Sequence, residues 1–92
     1  MFKYNKEKNS LIKKERGISF EDIIDAINNG VLDVYDHPNK QDYPNQKIYV
    51  VEAFNYVYLV PFVKEEDYIF LKTIIPNRQA TRKYLVGGKN ER

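Results

Sequence analysis

The spacing of apolar residues changes partway along the chain. Phe20, Ile23, Ile24 and Ile27 recur at i, i+3, i+4 and i+7, which puts them on one side of an α-helix. Ser19 stands where an N-cap belongs, Glu21 and Asp22 place acids in the first turn, and Asn28, Asn29 and Gly30 end the segment. Upstream, residues 6–16 are rich in Lys and Glu, with Leu11 and Ile12 as the main apolar side chains. Asn5 is a suitable cap and Gly17 a suitable left-handed stop, so a second, mostly solvated helix is predicted there.

From Val31 the pattern becomes a series of short β-rich runs: Val31–Tyr35, Lys47–Phe54, Tyr56–Val63 and Tyr68–Ile75. The polar segment Asp36–Gln46 separates the first two, whereas Asn55 and Lys64–Asp67 are short enough for hairpins, so the last three should form a meander. Pro61 has no N–H to donate, and a bulge or unpaired stretch is expected beside it. The predicted class is α+β: two N-terminal helices packed on an antiparallel sheet of about four strands, with Phe20, Ile23, Ile24, Ile27, Leu59 and Leu71 buried.

Alternation assigns Val57, Leu59 and Val63 to the face beneath the helices. Tyr56, Tyr58 and Phe62, with Tyr68, Phe70, Lys72 and Ile74 of the next strand, go to a partly open face. After Pro76, NRQATRKYL predicts a short helix capped by Asn77, with Arg78 and Arg82 one turn apart, and Val86–Arg92 reads as a flexible tail. A chain of 92 residues has room for one core, so residues 1–92 are taken as a single domain.

Composition narrows the chemistry. There is no cysteine, which excludes disulfides, thiolate metal sites and thiol nucleophiles. Nothing resembles a signal peptide, a membrane span, a glycine-rich phosphate loop or a clustered metal motif; a cytoplasmic protein without metal or cofactor is expected. Net charge is only +2, but residues 1–17 hold six Lys/Arg against two acids and residues 72–92 six against one. If the two ends meet, they make a basic patch suited to phosphates.

Aromatic side chains beside cations suit single-stranded RNA, so Tyr58, Tyr68 and Phe70 are candidate base-stacking residues. Lys72, Arg78 and Arg82 are candidates to converge on one phosphate, with Thr81 adding a hydroxyl donor. The bland alternative pairs the arginines with Glu52 or Asp33 to fasten the helix. His37, in the loop segment DHPN, is a candidate RNA contact or base, although a loop histidine is more often a surface residue.

The order of elements and the segment KTIIPNRQATR at residues 72–82 resemble the BrnT-like, RelE-type toxins of type II toxin–antitoxin pairs. Phe2–Tyr4 as a short strand, the Lys-rich helix and the SFEDI helix opening carry the resemblance through roughly residues 2–85. It implies a RelE/BrnT-like fold and a ribonuclease that inhibits translation, with basic and tyrosine side chains replacing a histidine pair. It also implies neutralisation by a small, dimeric, DNA-binding antitoxin, through which alone the toxin reaches operator DNA. Two other readings stay open: a non-catalytic interaction module and a small nucleic-acid-binding regulator.

Overall fold

The computed structural model describes the backbone of residues 1–87 and the side chains of residues 1–85. After the short strand β1 (Phe2–Lys3), caps define the two N-terminal helices. In α1 (Lys6–Arg16) the Asn5 side chain accepts from Lys8 N–H, and Gly17 closes the helix at φ 72°. In α2 (Phe20–Asn28) Ser19 and Asp22 form a reciprocal capping box. Phe20 N–H also donates to Asn9 Oδ1 at 2.7 Å, which fixes the start of α2 against α1.

The strands β2 (Asp33–Asp36), β3 (Gln46–Ala53), β4 (Tyr56–Lys64), β5 (Ile69–Leu71) and β6 (Ile75–Pro76) join β1 in one six-stranded sheet, ordered β1-β5-β4-β3-β2 with β6 also paired to β4. The class is α+β, but the sheet is mixed: β1 lies parallel to β5, and the other pairs are antiparallel. Phe54 and Asn55, at φ 53° and 65°, make the two-residue turn between β3 and β4. Two successive positive φ values match the turn whose twist suits a hairpin.

The fourth expected strand is broken in two. Phe62 pairs with Leu71 and Leu59 with Ile75, so three steps along β4 meet four along its partner. That extra residue is a bulge, and it reverses the faces beyond it. Ile74, expected on the open face, is therefore 1 % exposed in the core, while Ile75 is 41 % exposed. Lys72 N–H donates to the carbonyl of Pro61 at 2.8 Å beside this break.

Both faces of the sheet are covered, and the assignment of faces is corrected. Val51, Val60 and Phe62, with Tyr49 and Tyr58, pack against Ile12, Ile18, Phe20 and Ile23 of the N-terminal layer. The alternate positions Val50, Val57 and Leu59 pack against Ala80, Tyr84 and Leu85 of α3 (Arg78–Thr81) and the π-helical turn (Arg82–Gly87) that continues it. The aliphatic face of β4 thus receives the C-terminal segment, whose own apolar side chains must be buried, and the aromatic face receives α1 and α2. Of the expected core, Phe20, Ile23 and Leu71 are buried, whereas Ile24, Ile27 and Leu59 are half-buried. Val86 and Gly87, expected in a tail, continue the helical turn; residues 88–92 lie outside the described residues.

Candidate functional site

The C-terminal segment is fastened at its start. Asn77 N–H donates to the Val57 carbonyl at 3.0 Å, and its side chain caps α3 by accepting from Ala80 N–H at 2.7 Å. Thr81 belongs to this anchor. Its hydroxyl donates to the Asn77 carbonyl at 2.8 Å and accepts from Val57 N–H at 2.9 Å, and the residue is 8 % exposed. The expectation of a hydroxyl offered to a ligand is corrected accordingly: a hydroxyl with its proton engaged inside the fold has none to give outward.

Arg78 and Arg82 are exposed on this segment. Neither pairs with Glu52 or Asp33; among the described residues the ion pairs are those of Asp36 with Lys40 at 3.0 Å and Lys47 at 4.0 Å. Asp33 instead accepts from Tyr84 Oη at 3.3 Å and from Val34 N–H at 2.8 Å.

A hollow of about 480 Å³ lies between the C-terminal segment and β2, and neither arginine is among its lining residues. Asp33, Tyr35, Asn77, Gln79, Lys83 and Tyr84 supply its polar and aromatic lining. Val50, Leu59 and Ala80 supply apolar surface. Burial, reinforced by Tyr84 and Asp33, raises the pKa of Tyr35 above its ordinary value, and Lys83 Nζ is 5.3 Å from the centre of the Tyr84 ring. Tyr35 and Lys83 were not singled out by the sequence, and Asp33 was named only as a possible ion-pair partner of the arginines. Their i, i+2 spacing places Asp33 and Tyr35 on one strand face, but nothing local tells which face a helix will cover.

Lys72 stands elsewhere. It lines a separate hollow of about 470 Å³ with Asn5, Glu7, Lys8, Leu11 and Phe70, none from α3. Its backbone neighbour on β4 is Pro61 and that of Asn77 is Val57, about 13 Å apart along a strand. The three cations expected to converge on one phosphate do not line a common hollow: Lys72 lines one with residues of α1, and the arginines are carried on α3 and the turn that continues it.

The expected aromatic surface is divided as well. Phe70 pairs with Val63 and so shares the face of Val57 and Leu59, while Tyr58 lies on the other face, packed on the N-terminal core. Lys3 Nζ lies 4.4 Å from the centre of the Tyr68 ring, and Lys72 Nζ lies 5.6 Å from that of Phe70. Burial raises the Tyr58 pKa, with Tyr56 adding to it.

His37 belongs to neither group. Its N–H donates to the Gln46 carbonyl at 3.1 Å, its Nδ1 accepts from Asn39 N–H at 3.0 Å, and its ring packs on Tyr43. Gln46 pairs with Val63, about 20 Å along β4 from Val57 and the arginine-bearing helix.

Among the described residues no cluster of three or more His, Asp or Glu could hold a metal ion, and no helix is long and apolar enough to cross a membrane. Comparison with family models, with curated proteins and with solved structures gives no match to this chain.

Proposed function

We propose that this chain is the toxin of a type II toxin–antitoxin pair, a metal-independent endoribonuclease that inhibits translation and is silenced by a small DNA-binding antitoxin. The observation that carries the reading is the pair Arg78 and Arg82, exposed one turn apart and without an acidic partner among the described residues. The resemblance of KTIIPNRQATR to the BrnT-like pattern supports it.

In the proposed reaction the ribose 2′-hydroxyl gives its proton to a base as it attacks the adjacent phosphorus, and the 5′-oxygen leaves as a hydroxyl on accepting a proton from an acid, giving a 2′,3′-cyclic phosphate. Two guanidinium groups suit the charge that accumulates on the phosphoryl oxygens. Lys83 and Tyr84, beside Arg82 in sequence, bring further titratable groups to the same segment. A non-catalytic binding module is the competing reading, favoured by the position of His37 at the far end of β4 from α3.

Arg78→Ala and Arg82→Ala, made singly, are expected to abolish growth arrest on induced expression and to abolish RNA cleavage by the purified protein. Thermal unfolding should stay within a few degrees of the parent, since exposed side chains without partners contribute within about 0.5 kcal/mol. Undiminished toxicity in both variants would remove the arginines from the site. RNA binding without cleavage by the parent would favour the binding module.

A further inference from the structure

We infer that the hollow between β2 and the C-terminal segment is a guanine-binding subsite in which the Asp33 carboxylate takes the Watson–Crick edge of the base. Its shape is the first argument. Tyr35 and Tyr84 give aromatic walls, and Val50, Leu59 and Ala80 give apolar surface. This suits a flat ligand with a hydrophobic face and a polar rim. The volume of about 480 Å³ lies within the range of about 300–1,000 Å³ usual for small-molecule sites.

The second argument is the pattern of donors and acceptors. An ionised carboxylate only accepts, at two oxygens with two lone-pair sites each. Asp33 uses one site on Oδ1 for Val34 N–H at 2.8 Å and one on Oδ2 for Tyr84 Oη at 3.3 Å. The second distance is long for a hydroxyl donor, for which about 2.5–3.0 Å is usual, so that bond yields readily to a ligand. One lone pair on each oxygen remains.

Guanine alone among the four RNA bases presents two adjacent donors, N1–H and the N2 amine, that match such a pair of acceptors. Adenine and cytosine set a ring nitrogen acceptor beside their amine, and uracil flanks its N3–H with two carbonyls. In each of those three the carboxylate would face a lone pair, and a mismatch of this kind leaves buried polar groups unpaired.

The remaining lining completes the fit. Asn77 uses Oδ1 to cap α3, which leaves its amide N–H groups as donors for guanine O6, and Gln79 is a second amide beside it. Lys83 also lines the hollow and supplies a cation for the attached phosphate. The subsite deepens the ribonuclease reading by giving it a base preference, and rests on that reading only for the source of the guanine.

The test is titration of the full chain with guanosine, adenosine, cytidine and uridine 5′-monophosphates, followed by NMR shifts of Leu59 and Ala80 methyl groups. The guanine nucleotide should bind at least about tenfold more tightly than the others, the discrimination expected of one good bidentate contact. Asp33→Asn exchanges one acceptor for a donor and should erase that preference. Lys83→Ala should weaken guanosine monophosphate binding several-fold and that of unphosphorylated guanosine much less. Equal binding of all four nucleotides, no binding of any at millimolar concentration, or an unchanged preference in Asp33→Asn would overturn the subsite. RNA cleavage without guanine selection would remove the subsite alone, whereas guanine selection without cleavage would remove the ribonuclease reading alone.

Discussion

Glu21 shows how much one exposed side chain can join. Its carboxylate accepts from Asn9 Nδ2 at 2.9 Å and from Tyr4 Oη at 2.8 Å, tying α1, α2 and the segment that follows β1 at one point. These two contacts, that of Asn9 the larger, lower its pKa from 4.5 to about 2. A depressed folded-state pKa means stability that is present above the unfolded value and lost as pH falls through the folded one. Glu21→Gln is therefore expected to lower the melting temperature at pH 7, with the gap to the parent closing between pH 4.5 and about 2. The carboxylate is solvent-screened, so the gap should be a few degrees at most. A gap of constant size across that range would show that the carboxylate charge contributes nothing. The capping roles of Asn5, Ser19 and Gly17 were legible because a cap is made within three or four residues. The Glu21 contacts were not, because they reach 12 and 17 residues back along the chain.

Among the elements, the split between β5 and β6 departs most from simple alternation. Read as one strand, Tyr68–Ile75 puts Ile74 and Ile75 on the wrong faces; one extra residue in the pairing with β4 exchanges them. Ile74→Ala should cost about 2–5 kcal/mol in urea unfolding, as deletion of a buried isoleucine does. Ile75→Ala, at a position 41 % exposed, should cost less than about 1 kcal/mol. The reverse order would mean that the bulge is absent in solution. Pro61 marked the neighbourhood of the break in advance, since a residue without an N–H cannot support an uninterrupted ladder. It could not say which isoleucine would turn inward, because the register also depends on the core offered by α1 and α2.

For the molecule as a whole, the two basic ends of the chain meet and then part. Lys8 Nζ donates to the Lys72 carbonyl at 3.1 Å and Arg16 Nη1 to that of Ile74 at 3.3 Å, so α1 lies along the β5–β6 link. Beyond the link the chain crosses to the other face of the sheet, where α3 carries Arg78 and Arg82. On the proposed reading, a small antitoxin covers the arginine-bearing surface. Tagged protein isolated from its native host should therefore come as a complex with a small dimeric DNA-binding protein, and isolation only as free monomer would take away most of the support for the toxin reading.

The sequence by itself determined the α+β class, the capped N-terminal helices, the short hairpin turn and the helix after Pro76, all of which depend on periodicity or on neighbours a few residues apart. Tertiary structure alone decided the covering of both sheet faces, the parallel pairing of β1 with β5, which isoleucine the bulge turns inward, and the hollow that joins Asp33 to Tyr84 across 51 residues. Each apolar surface must find a partner, and which of two similar strand faces receives which helix is settled by the burial of the whole chain. No stretch of a few residues contains that competition.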